Sequence, residues 1–300
     1  MALSGSITAL ATAFGGRDDA LDLDACGRLI DAQLAGGTRA IVMAGSTGEA
    51  AALDEREYST LLEYAVARVR KRIPLLAGTG LSATRKTIAQ TQRARDAGID
   101  FALVVTPAYV RPTQEGLYKH FSEVAEHGGL PVVLYNVPSR TSCDLLPETV
   151  ARLAVHGNIV GIKEARPEPE RMQALLGLQN DGFSVLSGDD PTAMRAMLAG
   201  AAGVVSVASN VAPAEFAALA ERCAARDVAG ASALDERLRP LYDFLGVEPN
   251  PIPVKWCLAE LGLGTPQMRL PLVPLTAVHH ARGREILIRL GLIEAARAVG

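Results

Sequence analysis

Eight short apolar runs, separated by longer amphipathic segments, constrain the fold of this 300-residue chain more than any other feature. The runs begin 19 to 34 residues apart, so each interval is long enough to hold one crossover helix. Runs that are apolar almost throughout are typical of parallel strands buried on both faces. The predicted strands are residues 7–11, 40–43, 74–78, 101–105, 132–136, 159–163, 184–187 and 203–207. Eight strand–helix units predict an α/β fold of the closed (β/α)8 TIM-barrel type rather than an open doubly wound sheet.

The residues at two helix starts agree with this alternation. Asp54 is followed three residues later by Glu57, which is a capping-box pattern and predicts a helix over residues 58–69. Asp190 precedes Pro191, which predicts an N-cap at Asp190 with proline at the first helical position. Each of these helices would follow a predicted strand, as a barrel requires.

The alternation of strands and helices stops near residue 226. Beyond it, two or three helical segments follow, interrupted by a proline-rich loop at residues 248–253. We therefore predict a barrel over residues 1–226 that carries the active site. Residues 227–300 are predicted to form a helical region that packs on the barrel and does not fold by itself.

The charge balance argues against a protein that binds nucleic acid. Thirty basic residues are matched by 33 acidic ones, the formal net charge is −3, and aromatic residues make up only 4% of the chain. Such a chain lacks the positive patch and the stacking rings that nucleic-acid binding uses. No apolar run reaches the roughly 18 residues of a membrane span, and the first 20 residues lack the pattern of a signal peptide.

The cysteines and histidines show no spacing that is typical of a metal site. The cysteines are far apart, which fits reduced thiols in the cytosol better than disulfides or zinc ligands. No histidine has a second one four positions away, and no glycine-rich run matches a nucleotide-binding loop. We therefore expect a cytoplasmic protein without a metal or a bound nucleotide. The residues concerned are Cys26, Cys143, Cys223, Cys257, His120, His127, His156, His279 and His280.

Lys163 is the most informative single residue. The strand that it ends is apolar up to this position, and a period of two places Lys163 on the same face as Gly161 and Ile159. If that face points into the barrel, burial disfavours the charged ammonium and favours a neutral amine. A neutral amine can attack a carbonyl group to form a Schiff base. The alternative is an ordinary strand-end lysine that reaches solvent or pairs with Glu164.

Three further side chains are expected at the same edge of the barrel, where the carboxyl ends of the strands meet. Tyr135 ends the fifth strand, and its phenol could transfer protons beside an amine. Thr47 lies in a loop that also contains Gly45 and Gly48, where hydroxyl and N–H groups can cradle a carboxylate. Arg140 follows a proline-stiffened turn and suits a substrate carboxylate. Taken singly, Tyr135 also fits an ordinary rim tyrosine, Thr47 a plain turn and Arg140 a solvated surface charge.

Three motifs together resemble the dihydrodipicolinate synthase family of the pyruvate-dependent class I aldolase superfamily. They are GSTGE at residues 45–49, YNVPSRT at 135–141 and GIKE at 161–164. Residues 111–118 and 247–255 are also similar to family segments, so the likeness runs along nearly the whole chain. The YNVPSRT run is the most specific of these motifs, because the other two are shared across the superfamily.

The resemblance implies an imine between Lys163 and pyruvate, formed without a metal or an organic cofactor. It implies that Tyr135 relays protons to and from this imine. It further implies that Thr47 is the middle of a hydroxyl relay, and that Tyr109 closes this relay from a neighbouring subunit. The family is usually a homotetramer built as a dimer of dimers.

The resemblance also assigns the substrate-binding residues. Ser46 and Thr47 would hold the pyruvate carboxylate, and Arg140 would recruit the second substrate, L-aspartate 4-semialdehyde. The implied reaction is a condensation of these two substrates in lysine and diaminopimelate biosynthesis, carried out by a carbon–carbon lyase of the class I aldolase type. Gly188 would lie near the site, and Val205 would lie beside the Schiff base. Ser46 departs from the threonine that is more common in the family, but the hydroxyl is kept.

Two other functions remain open. A sister aldolase that cleaves N-acetylneuraminate or a 2-keto-3-deoxy sugar acid would share the pyruvate half of the site but would lack an arginine at the place of Arg140. A catalytically silent barrel could act as a small-molecule sensor. The joint presence of Lys163, Tyr135 and Thr47 argues against the silent barrel.

A final expectation concerns feedback by L-lysine. Family members that lysine inhibits carry a set of polar residues at a dimer cleft, and several of these residues are replaced here. Lys86 would place a positive charge against a cationic ligand, so we expect weak or no inhibition. The corresponding positions are Ala50, Glu55, Tyr58, Ser82, Lys86 and Ala108.

Overall fold

Eight parallel strands close into a barrel in the computed structural model, which describes residues 3–294. Each strand pairs with its neighbours in chain order, and the first strand also pairs with the last, which closes the ring. The strands are β1 Gly5–Ala9, β2 Ala40–Met43, β3 Leu75–Gly78, β4 Phe101–Val105, β5 Val132–Asn136, β6 Ile159–Glu164, β7 Ser184–Ser187 and β8 Gly203–Ser206. The predicted (β/α)8 barrel is confirmed, and no strand boundary differs from its prediction by more than two residues.

The barrel strands alternate with helices along the chain, and further helices follow the last strand. A short antiparallel hairpin, Phe14–Gly15 with Ala20–Leu21, lies between β1 and the first helix. The helices are α1 Leu23–Ala35, α2 Glu55–Val69, α3 Thr84–Asp96, α4 Gln114–His127, α5 Pro138–Thr141, α6 Pro147–Leu153, α7 Pro169–Leu176, α8 Asp190–Ala199, α9 Pro213–Ala224, α10 Val228–Leu245, α11 Ile252–Glu260 and α12 His280–Arg289.

One of the two predicted helix starts is confirmed and the other is wrong by one residue. Asp54 and Glu57 form the reciprocal capping box at the start of α2. Helix α8 already begins at Asp190, so this residue is not the N-cap. Its buried carboxylate instead accepts the backbone N–H groups of Val207 and Ala208, at 3.1 and 2.8 Å. The contact to the chain after β8 therefore decides its place, and local capping does not.

Two apolar layers hold the barrel together, because successive side chains of a strand point to opposite faces. On β2, for example, Ile41 packs outward against the surrounding helices, whereas Val42 packs into the barrel. The inner layer fills the barrel, which therefore has a packed core and no pore. Its fully buried members include Ile7, Val42, Leu76, Val133, Leu186 and Val205.

The helices after residue 226 share one apolar cluster with the last barrel units. Phe216 of α9 packs edge-to-face on Tyr242 of α10, and Phe244 of α10 packs in the same way on Trp256 of α11. Trp256 in turn stacks on His280 of α12. Residues 1–2 of the predicted barrel and 295–300 of the predicted helical region lie outside the described residues.

Two further observations concern the helices and the cysteines. Within residues 3–294, no helix combines the length and the apolar character that crossing a membrane requires. The four cysteines are all buried and all free.

Candidate active site

Lys163 and Tyr135 face each other at the carboxyl end of the barrel. They occupy paired positions on the adjacent strands β6 and β5, so both side chains leave the sheet at the same level. The Lys163 Nζ atom lies 4.1 Å from the centroid of the Tyr135 ring. The two residues are only 5% and 7% exposed. An amine and a phenol are thus held together out of bulk water, as Schiff-base chemistry requires.

The prediction that Ile159 shares the face of Lys163 is wrong. The pairing of β5 with β6 shifts by one residue, because Val132 pairs with Ile159 whereas Val133 pairs with Gly161. Such an irregularity places one extra residue in a strand and reverses the alternation across it. Gly161 therefore remains on the face of Lys163, and Ile159 packs in the outer layer of the core. Simple periodicity therefore holds only over the last four residues of the strand, from Gly161 to Glu164.

Gly188 and Val205 complete the surroundings of this pair. A Cβ atom at Gly188 would lie 2.8 Å from Cε and 2.9 Å from Cγ of Lys163, so the glycine leaves the space that the lysine stem occupies. The Gly188 N–H group also donates to the Glu164 carbonyl oxygen at 2.7 Å. Val205 is 1% exposed and belongs to the same inner cluster as Tyr135.

Gly188→Ala is expected to lower the rate of imine formation with pyruvate by about 10- to 100-fold, because the added methyl group displaces the Lys163 stem. Gly177→Ala is a matched control, since a Cβ atom there meets nothing within 4 Å and the backbone φ is an ordinary −63°. Single-turnover trapping of the imine measures both variants. Equal rates for the two variants would contradict the contact.

The loop after β2 presents Ser46 and Thr47 to the same edge of the barrel. Ser46 is exposed, whereas Thr47 is only 2% exposed. A Cβ atom at Gly48 would lie 3.1 Å from both the Ala44 backbone and the Leu10 carbonyl oxygen, which explains why this loop needs a glycine. The loop therefore packs closely against the ends of β1 and β2.

Asn250 connects the predicted pyruvate side of the site with the predicted aldehyde side. Its Nδ2 atom donates to Thr47 Oγ1 at 3.0 Å, and its carbonyl oxygen accepts from Arg140 Nη2 at 3.2 Å. Asn250 lies in the family-like segment 247–255, but its sequence context assigned it no role. Its signal in the sequence is an Asn–Pro pair in a proline-rich loop, which indicates a turn but not its partner.

A buried ion pair between Lys255 and Glu49 anchors the end of the GSTGE loop, residues 45–49. Lys255 Nζ lies 2.5 Å from Glu49 Oε1, and the two side chains are 3% and 1% exposed. Burial lowers the pKa of Lys255, although the charge of Glu49 opposes this shift. The pair ties the end of the GSTGE loop to α11, so the helices after residue 226 contribute directly to the site.

Tyr109 does not join the site within its own chain. Its side chain is 93% exposed, and its φ of +73° lies in the left-handed region that non-glycine residues rarely adopt. Backbone conformations of this kind are costly and occur preferentially at functional sites. Arg140 is also exposed, but it lies beside Asn250. The structure thus brings Lys163, Tyr135 and Gly188 together, buries Val205 in the inner cluster that contains Tyr135, and leaves Tyr109 exposed.

A family model described as the dihydrodipicolinate synthetase family matches residues 2–289 of the chain. The chain belongs to this family. A curated 4-hydroxy-tetrahydrodipicolinate synthase from Xanthomonas axonopodis pv. citri is 61% identical over 93% of this chain and 92% of its own length. The chain is therefore a lyase of the class I aldolase type.

Solved structures of the dihydrodipicolinate synthetase family superpose closely on this chain. One is the chloride-inhibited dihydrodipicolinate synthase from Acinetobacter baumannii in complex with pyruvate. It has a TM-score of 0.94 and 42% identity, and the match covers 97% of this chain and 99% of that one. Another is a monomeric dihydrodipicolinate synthase variant, with a TM-score of 0.94 and 38% identity, covering 97% and 98% of the two chains.

Proposed function

We propose that the protein condenses pyruvate with L-aspartate 4-semialdehyde, as a 4-hydroxy-tetrahydrodipicolinate synthase of lysine and diaminopimelate biosynthesis. The observation that carries this proposal is the buried pair of Lys163 and Tyr135, with the amine 4.1 Å from the ring centroid. A coupled assay with the two substrates tests it directly. Turnover of pyruvate with the semialdehyde supports the proposal, and its absence in a chain that still traps pyruvate contradicts it.

The proposed reaction begins at Lys163. Its amine attacks the keto carbon of pyruvate, and the resulting carbinolamine loses water to give the imine. Tyr135 donates the proton that the departing hydroxyl needs and then accepts a methyl proton, which converts the imine to an enamine. The enamine carbon attacks the aldehyde carbon, the aldehyde oxygen takes up a proton, and the imine forms again. The amino group of the second substrate finally attacks the imine carbon, which closes the ring and releases Lys163.

The proposed roles of Thr47 and Ser46 follow from their hydroxyl groups. Thr47 Oγ1 accepts a hydrogen bond from Asn250, so its own proton remains available to donate to a carboxylate or a phenol. Ser46 is exposed in the same loop and can donate to the pyruvate carboxylate. A substrate carboxylate bound here would place the keto carbon of pyruvate near Lys163.

We also propose that the reaction needs no metal and no organic cofactor, because a protonated imine on Lys163 itself supplies the electron sink. Among the described residues, one group of three side chains has ligand atoms close enough to share an ion. It comprises Glu123, Glu126 and His127, which are exposed on α4.

We also propose a reducing, cytoplasmic location, which the four free thiols support.

Arg140→Ala is expected to raise the KM for the semialdehyde by about tenfold or more, because a charged hydrogen bond to its carboxylate is lost. Trapping of the pyruvate imine should stay within about twofold of wild type, since Arg140 acts on the second substrate only. Arg152→Ala is the matched control, because Arg152 pairs with Glu115 on the outer helices. Faster turnover of sugar acids than of the semialdehyde would favour the sister aldolase instead.

L-lysine at about 1 mM is expected to lower the rate by less than about twofold, because Lys86 repels a cationic ligand. Two more side chains at the positions that correspond to the lysine-binding residues of inhibited family members already make other hydrogen bonds. The Tyr58 hydroxyl donates to the Gly78 carbonyl oxygen at 3.0 Å, and the Ser82 hydroxyl donates to the Ala108 carbonyl oxygen. Steady-state inhibition measures the effect, and Lys86→Glu should increase it. Strong inhibition by submillimolar lysine would contradict the prediction.

We further propose that the active form is a homotetramer built as a dimer of dimers, in which Tyr109 completes a neighbouring site. The exposure of Tyr109 supports this arrangement, and so does the apolar exposure next to it, where Val110 is 54% exposed. Because a monomeric variant occurs among the similar structures, the oligomeric state needs its own measurement.

A further inference from the structure

The strands β5 and β6 carry two pairs of side chains in register, one on each face of the sheet. Tyr135 is level with Lys163, and the next residues, Asn136 and Glu164, are level with each other. Because neighbouring residues of a strand point to opposite faces, the first pair faces the barrel interior and the second faces the surrounding helices.

The outer pair is buried and hydrogen-bonded. Asn136 Nδ2 donates to Asp144 Oδ1 at 2.8 Å and to both carboxylate oxygens of Glu164, at 3.0 and 3.2 Å. Asn136 is 0% exposed and Glu164 is 1% exposed. The Asn136 Oδ1 atom accepts the Leu145 N–H group at 2.9 Å, and Glu164 Oε1 accepts the Arg166 N–H group at 2.8 Å. The two side chains are therefore fixed from both sides, and neither can turn without leaving a buried polar atom unsatisfied.

The charged groups that face Glu164 lie in the segment after α5, in the segment after β6 and on α7. Arg171 Nη1 lies 3.5 Å from Glu164 Oε2 and also donates to Asp144. Arg166 donates to Asp144 and to Glu168. Burial raises the pKa of Glu164, and its hydrogen bonds and the charge of Arg171 oppose this shift.

The backbone pairing of β5 with β6 contains a shift in register. One residue of β6 is skipped between the pairs Val132–Ile159 and Val133–Gly161, so the strands pass through an irregularity just before the site. A shift by one residue would turn Lys163 to the outer face. We propose that Asn136 and Glu164 are a positioning pair that fixes the register in which Lys163 Nζ lies over the Tyr135 ring. This inference rests on the proposed function for its chemistry.

The experiment measures the rate at which borohydride-trapped pyruvate adduct forms on Lys163 in the full chain. Asn136→Asp is nearly isosteric but sets a new carboxylate against those of Glu164 and Asp144, so at pH 8 the rate is expected to fall by about 10- to 100-fold. The ratio of variant to wild-type rate should rise as the pH falls towards 5.5, because neighbouring carboxyl groups then share protons. A purely structural role would not produce this dependence in the folded protein.

The double variant Asn136→Asp with Glu164→Gln removes one of the two carboxylates that face position 136 and supplies an amide that can donate to the new carboxylate there. Its rate is expected to exceed that of the single variant by about threefold or more but to stay below the wild-type rate, because Asp144 still faces position 136. Asn158→Ala is the matched control. Asn158 directly precedes β6 at its other end, where its side chain donates to the Ala125 and Leu130 carbonyl oxygens. Its loss should affect stability without slowing the adduct.

Three outcomes would overturn the inference: a wild-type rate for Asn136→Asp at pH 8, a double variant no faster than the folded single variant, or equal slowing by Asn158→Ala. Circular dichroism establishes which variants are folded. If Asn136→Asp does not fold, Asn136→Leu replaces it, with the same slowing expected but no recovery at low pH. A wild-type chain that traps pyruvate but does not condense it contradicts the proposed function alone, and one that traps no pyruvate contradicts both.

Discussion

Lys163→Ala should lower the rate of condensation by about four orders of magnitude or more and abolish the trapped pyruvate adduct. In the proposed reaction this amine forms the covalent bond, so we expect no neighbouring side chain to replace it. Mass spectrometry after pyruvate and borohydride measures the adduct, and a coupled assay measures the rate. The chain should remain folded, because the substitution shortens one side chain at the end of a strand.

The choice between two buried lysines makes this prediction specific. Burial lowers the pKa of Lys255, and this property taken alone would suggest Lys255 as the reactive amine. Geometry points to Lys163, because Lys255 is bound to Glu49 at 2.5 Å, whereas Lys163 lies over the ring of a tyrosine at the carboxyl end of the barrel. Lys119→Ala, on the outer helix α4, is the control and should leave the rate unchanged. An adduct that persists in Lys163→Ala, on Lys255 or elsewhere, would contradict the assignment.

The barrel and the position of Lys163 were predictable because both depend on local patterns. A buried parallel strand is apolar along its length, so a lysine at the end of such a run is conspicuous in the sequence. The orientation of Ile159 was mispredicted because the shift in register depends on how β6 pairs with β5, which one strand alone does not reveal. Asp190 was misplaced for a similar reason, since its partners lie 17 and 18 residues further along the chain.

The contribution of Asn250 and Lys255 was not predictable from spacing. Asn250 contacts Thr47 across 203 residues, and Lys255 contacts Glu49 across 206 residues. Contacts at such separations carry no periodic signal, because the folded barrel alone brings these segments together. The proline-rich loop that carries Asn250 was predicted as an interruption between helices, whereas it forms one wall of the site.

Tyr109→Phe is expected to lower the condensation rate by about 100-fold or more, because in the proposed relay its hydroxyl transfers protons, and the substitution removes the hydroxyl while keeping the ring. This expectation depends on assembly. Because Tyr109 is 93% exposed in its own chain, the proposal has it act by entering the site of another subunit. A monomer should therefore show the same low rate with or without the hydroxyl group.

Mixing Tyr109→Phe chains with Lys163→Ala chains tests this arrangement, because neither variant is active by itself. In a hybrid pair, the chain that keeps Lys163 receives an intact Tyr109 from its partner, so one of its two sites is complete. With random exchange of equal amounts, about half of the pairs are hybrid, and about one quarter of the wild-type rate should return. If Tyr109 acts within its own chain, no mixed site contains both groups and no activity returns. Tyr118→Phe, on α4, is the control and should behave as wild type both alone and in mixtures. Recovery that fails although the chains have exchanged, as native mass spectrometry can establish, would contradict a site shared between subunits.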